Sequence, residues 1–273
     1  ALSLGRLAGG IAVRDDNLYL ERLEIDTAES SLRVDGVVER YLRTPVVRLT
    51  AAGHLSMPEI GRVVPAVAKY PLHPVLDVKV EGPAERMTLD LDIRSEAGSI
   101  DGQLTADVSG PEMGAAGNVA VGHLNLAPLL QDPGQRSDIT GRATLDLEVA
   151  AAPADAPFNE RLRGSFSFAG PRVAAAGYEA SDVRARGRID GPRIDLDARA
   201  SAYGGAATAK GFIVTRSGHR PFAFDLSGSA EDLDLRGLPR SIGAPDVETD
   251  LSVAEYHVQG AGGTVEGTAR LNR

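Results

Sequence analysis

The chain has 273 residues and a formal net charge of −9; 42% of its residues are hydrophobic, only 4% are aromatic, and it has no Trp and no Cys. That composition rules out a disulfide framework, a thiolate metal site and a cysteine nucleophile. It also argues against nucleic acid as a partner, which calls for a basic excess or a basic patch interleaved with stacking aromatics.

Leu18 and Leu20, then Leu23 and Ile25, alternate with polar neighbours, and the phase slips at Glu21-Arg22, where a bulge is expected. Leu32, Val34, Gly36 and Val38 form the next strand and Val46 to Ala51 another. Leu55 to Pro65 breaks the pattern: Pro58 suits a first helical turn, and the segment reads as one short helix or turn on the rim of a sheet.

Strands resume with Leu76, Val78 and Val80, then Met87, Leu89, Leu91 and Ile93, then Ile100 to Val108, then Val119 and Val121. Leu124 to Leu130 is a second interruption of the same kind. Thr140 to Val149 sets Ala143, Leu145, Leu147 and Val149 against Arg142, Thr144, Asp146 and Glu148. Ala150 to Pro157 is an Ala/Pro-rich connector, exposed by its composition. After Phe166 and Phe168 comes the stretch Val183 to Val214, whose strands are separated by breaks at Asp190-Gly191-Pro192 and Tyr203-Gly204-Gly205. Phe222, Phe224 and Leu226 continue the sheet. A third interruption, Leu233 to Pro239, precedes strands near Val247 to Val258 and Thr264 to Leu271.

Period-two alternation gives each strand one wet and one apolar face, and Gly/Pro turns join neighbours as a meander. No amphipathic helix is long enough to cross between parallel strands. The expected fold is therefore all-β: a long, twisted, mostly antiparallel sheet with a few short helical or turn inserts, continuous over residues 1–273. No run reaches membrane-spanning length and no signal peptide is evident, and the start without Met reads as a segment of a longer protein.

The apolar face must be covered by a second sheet, by closure into a barrel, or by a guest held in a curled trough. A sandwich or barrel filled by its own side chains is the plainer solution. Against it, the face is built from Ala, Val, Leu and Gly, with few of the aromatic anchors a compact sandwich uses. The residues that would line a groove are Leu89, Leu91, Ile93, Val119, Val121, Leu145, Leu147, Val149, Ile189, Ile194, Leu196, Phe222, Phe224 and Leu226.

Three phrases carry a resemblance: Ala202 to Gly211 (Ala-Tyr-Gly-Gly-Ala-Ala-Thr-Ala-Lys-Gly), Leu233 to Pro239 (Leu-Asp-Leu-Arg-Gly-Leu-Pro) and Leu124 to Leu130 (Leu-Asn-Leu-Ala-Pro-Leu-Leu). The chain resembles the AsmA/TamB-like superfamily of diderm bacteria in these degenerate motifs. The resemblance implies a repeating β-groove in the periplasm, belonging to a parent anchored in the inner membrane through parts of the chain outside this segment. It implies phospholipid acyl chains as cargo carried between inner and outer membrane. It also implies outer-membrane biogenesis as the setting, with an outer-membrane β-barrel protein as a partner. The other reading is a sealed structural or protein-interaction module assisting outer-membrane protein assembly.

No catalytic, metal or cofactor site is expected. The histidines His54, His73, His123, His219 and His257 lack metal-ligand spacing. Asp90/Asp92 and Asp195/Asp197 place carboxylates on one face of a strand, but within regular polar alternation, which reads as a solvated face. Neither Gly204-Gly205 nor Gly260-Ala261-Gly262-Gly263 opens a helix that could receive phosphate, and no nucleophile elbow or Walker motif is present.

Overall fold

Alternating side chains become alternating burial: along β4 (Val46–His54), β5 (Val75–Pro83) and β9 (Ser137–Val149) half-buried and exposed residues follow each other almost without interruption. The structure is a computed structural model that describes residues 4–151, 158–175, 177–215, 221–234, 236, 251–262 and 264–271. It is all-β, with every registered strand pair antiparallel and joining chain neighbours. Two compact units divide the chain, Ala1–Ser137 and Asp138–Arg273.

The first unit holds β1 (Leu4–Arg14), β2 (Asn17–Thr27), β3 (Ser31–Glu39), β4, β5, β6 (Met87–Ser95), β7 (Gly98–Asp107) and β8 (Met113–Leu124). The second holds β9, which begins at the division, β10 (Leu162–Ala175), β11 (Tyr178–Asp190), β12 (Arg193–Ala202), β13 (Gly205–Val214), β14 (Ala223–Leu233), β15 (Leu251–Ala261) and β16 (Thr264–Leu271). Helices are confined to α1 (Met57–Ile60), α2 (Leu126–Leu130) and α3 (Phe158–Arg161), with single 3-10 turns at Pro65–Val67 and Pro133–Gln135.

The bulge expected at Glu21-Arg22 is present. Leu20 pairs with Gly36 and the next pair is Leu23 with Val34, while Arg22 takes φ 48° and donates its N–H to Asp35 Oδ2 at 2.8 Å. The extra residue shifts the phase so that Leu20 and Leu23 stay on one face. Mid-strand glycines supply a second source of bending. Gly211 of β13 has φ 153°, and a Cβ there would lie 1.9 Å from the carbonyl oxygen of Asp225 on β14. Gly36 of β3, at φ 135°, would meet the Arg48 carbonyl oxygen at 2.0 Å. Only glycine fits such positions, and glycine kinks repeated from strand to strand are the device by which a sheet is curved.

Both leucine-proline inserts of the first unit lie where expected. Ser56 caps α1, its Oγ accepting from the Glu59 N–H at 3.3 Å, and Pro58 occupies the first turn. Asn125 caps α2 through Ala127 N at 3.1 Å. Of the third insert, Leu233 ends β14 and Asp234 pairs with Arg236 at 2.8 Å, while its other four residues lie outside the described residues, as do most of the connector Ala150 to Pro157 and the stretch from Val247 to the start of β15. Strand β1 was not among the expected strands; its Leu7, Ile11 and Val13 are more than half exposed, with a partner strand on one side only among the described residues. Phe222 lies just before β14, not within the sheet, and is 47% exposed.

Candidate functional site

Register turns the inward residues into continuous rows that run across the strands. In the first unit one row reads Ile25, Leu32, Gly53, Leu76, Ile93, Ile100 and Val121, a span of six strand spacings or roughly 29 Å. Beside it lie Val34–Ala51–Val78–Leu91–Gly102–Val119 and Gly36–Leu49–Val80–Leu89–Leu104–Gly117. All five candidates on β6 and β8 thus share one apolar face.

In the second unit Ile189, Ile194, Ile213 and Phe224 form a row, and Phe166, Gly187, Leu196, Gly211, Leu226 and Val258 form the next. A Cβ on Gly164 would fall 2.8 Å from Leu147 Cα, so β9 and its Leu145, Leu147 and Val149 adjoin β10 on this face. The Phe166 ring covers Gly187, where an added Cβ would meet its Cε1 at 2.6 Å, and the ring of Phe224 covers Gly260 in the same way at 2.5 Å. Aromatic rings laid over cross-strand glycines fill the gap that the missing side chain leaves.

These rows are sheltered but not sealed. Val119 is the only candidate that is buried, at 8% exposure, and Phe222 is exposed; the other twelve are half-buried. A closed sandwich or barrel would bury its inward Leu, Ile and Val side chains completely. Here the buried apolar residues among those described are few: Leu23, Leu72, Ala97, Ala106, Val119, Ala230 and Val253. Side chains on this face therefore retain apolar surface that a guest could cover.

The opposite face carries the charges, largely in cross-strand or same-strand pairs: Arg33–Glu24 at 2.6 Å, Arg48–Glu39 at 2.7 Å and Arg186–Asp197 at 2.9 Å. The paired aspartates belong to it. Asp92 is held by Arg94 at 2.7 Å, Asp90 accepts from Gln103 at 2.7 Å, and Asp195 pairs with Arg193 at 2.7 Å. His73 and His257 each lie against a carboxylate, Glu96 at 2.8 Å and Asp225 at 2.9 Å, and His219 is outside the described residues. No cluster of three or more potential metal ligands occurs among the described residues. No helix among them is long and apolar enough to cross a membrane.

One rim of the first unit is stitched together by its inserts, which sequence reasoning located without foreseeing their bonds. Glu59 of α1 is fully buried; its Oε2 accepts from Thr27 Oγ1, from Ser30 Oγ at 2.7 Å and from Glu29 N at 3.3 Å in the β2–β3 turn. The Thr27 hydrogen bond, opposed by burial and aided by Ser30, holds the Glu59 carboxyl below its ordinary range. On the other side of the insert, His73 N donates to Glu96 at 2.9 Å, Asn125 N donates to Ala97 O at 2.8 Å, and Gln131 Nε2 donates to Lys69 O at 2.6 Å. The β2–β3 turn, the α1 insert, the β6–β7 turn and the α2 insert thus form one linked lip beside the open apolar face.

No protein-family model matches the chain, and neither does any curated protein or any solved structure.

Proposed function

We propose that this chain is a lipid-carrying segment whose apolar face holds phospholipid acyl chains along the cross-strand rows. The observation that carries the reading is the half-buried state of twelve of the fourteen candidate lining residues, with those on β6 and β8 and those on β11, β12 and β14 aligned in cross-strand rows within their own units. A row of Leu, Ile and Val side chains alternating with glycines offers apolar contact along the direction that crosses the strands. Each methylene laid against it contributes about 0.8 kcal/mol. Equivalent rows repeat from strand to strand, so a tail is held firmly as a whole yet gains or loses little on moving by one strand. Head groups stay in water beside the rim, and no bond is made or broken.

With the resemblance to AsmA/TamB-like proteins, this reading places the segment in the periplasm, carrying phospholipids between inner and outer membrane. The parent chain is then anchored in the inner membrane, and an outer-membrane β-barrel protein is a fitting partner. The sealed-module reading requires a covered apolar face, and the exposure of the rows does not favour it.

The test is native mass spectrometry of the chain purified from a diderm bacterial host, followed by lipid extraction, for the parent chain and for Leu147→Arg. Leu147 is half-buried in β9 on the apolar face, so the variant can keep its fold while placing a cation among the acyl chains. Bound phospholipid in the parent and its loss in a variant with an unchanged β circular dichroism spectrum is the expected outcome. A lipid-free parent, or equal lipid in both, refutes the reading.

A further inference from the structure

Four cations on the polar face of β11–β13 have no counter-ion among the described residues: Arg184, Arg188, Arg199 and Lys210, all exposed. Arg184 stands directly across from Arg199, with Thr208 next in the row. The two rows beside it are Arg186–Asp197–Lys210 and Arg188–Asp195–Phe212. Both aspartates are already neutralised, Asp197 by Arg186 at 2.9 Å and Asp195 by Arg193 at 2.7 Å. Their pairing leaves the four other cations uncompensated on a patch of roughly 10 by 13 Å.

Like charges placed directly opposite on a sheet are destabilising. In a chain of net charge −9 this concentration of uncompensated positive charge is a local exception. It gains a favourable role only when an anion faces it. The flanking outward residues of β10, Ser165, Ser167 and Ala169, are exposed and uncharged, so nothing on that side competes for the arginines.

The chemistry of the patch selects the partner. Stable protein interfaces centre on apolar or aromatic anchors that become buried. The only large apolar group in these rows, Phe212, is half-buried and covered by the Arg193 guanidinium at 3.8 Å from its ring centroid. An array of phosphates needs no such anchor, and guanidinium groups bind phosphate oxygens in bidentate fashion. We propose that the outward face of β11–β13 docks on the head-group layer of a bilayer containing anionic phospholipid. The contact uses the polar side of the sheet, so it stands or falls independently of acyl chains on the apolar side.

The test is co-sedimentation of the whole chain at low salt with vesicles of equal parts phosphatidylcholine and phosphatidylglycerol, against vesicles of phosphatidylcholine alone. Binding is expected only to the anionic vesicles and is expected to fall steeply with added salt. In the double variant Arg184→Ala/Arg199→Ala the partition constant should drop roughly thirty-fold, the effect of removing two surface-facing cations. Arg6→Ala, on β1 in the other unit, should leave it unchanged, and circular dichroism checks the fold of each variant. Equal binding to neutral vesicles, or no loss in the double variant, overturns the proposal. So does salt-sensitive self-association of the chain without vesicles that disappears in the double variant, since the patch would then face a second copy. Lipid bound in the groove is scored separately by mass, so the two readings fail independently.

Discussion

Gly211→Ala is the substitution that most directly tests how the sheet is bent. The residue sits at φ 153° in the row Leu196–Gly211–Leu226, and a Cβ added there would lie 1.9 Å from Asp225 O. Alanine at a sparsely populated positive φ costs about 1–3 kcal/mol. The overlap with a backbone carbonyl cannot be relieved by turning a side chain, so β13 and β14 must separate locally, with loss of at least one ladder hydrogen bond at about 1 kcal/mol. The expected total is about 2–4 kcal/mol. Gly204→Ala is the matched control. Gly204 also has positive φ, 84°, but it lies in a turn where the nearest atoms to an added Cβ are 3.8 Å away, so only the backbone term of about 1–2 kcal/mol applies. Urea unfolding followed by circular dichroism gives the difference, and amide hydrogen exchange should localise the loss in Gly211→Ala to β13 and β14. Equal destabilisation by the two variants, or a loss below about 1 kcal/mol at Gly211, refutes the argument that mid-strand glycines are required by close backbone approach.

Acid should loosen the linked rim before the strands. Glu59 and Glu96 both have folded pKa values below the ordinary 4.5, Glu59 chiefly through Thr27 Oγ1 and Glu96 chiefly through the His73 N–H. A depressed carboxyl contributes stability above its unfolded value and loses it as pH falls through the folded value. Protease cleavage within residues 57–72 should therefore accelerate below pH 4.5, and Glu59→Gln should show faster cleavage already at neutral pH; a pH-independent rate would contradict the assignment. Tyr256→Phe should cost about 1 kcal/mol in urea unfolding, since the Tyr256 hydroxyl reaches over Gly228 to donate to Thr208 O at 2.6 Å; an unchanged midpoint would show that water replaces the bond.

The strands were legible because their signal is local. Thr140 to Val149 alternates strictly, and so does its burial in β9. At Glu21-Arg22 a slip of phase marked a bulge, since a period of two admits no other way to keep Leu20 and Leu23 on one face. Pro58 and Asn125 marked the inserts through helix-start chemistry that needs no distant partner. Strand β1 was not among the segments read as strands; Leu7, Ile11 and Val13 keep one phase, and only Leu4 falls out of it, at the register shift between Leu4 and Arg6.

Residue order alone therefore determined the all-β class and most of the inward set from Leu89 to Leu226, with Phe222 the exception, since each depends on spacing within one strand. Tertiary structure decided what depends on register between strands. It aligned the inward residues into rows, left those rows half-buried, placed glycines where a neighbouring carbonyl excludes a Cβ, and set Arg184 opposite Arg199. It also carried Glu59 to the β2–β3 turn and Gln131 to Lys69, contacts across 32 and 62 residues of chain. No periodicity encodes such distances; they follow from how hydrogen-bonded strands stack one beside the next.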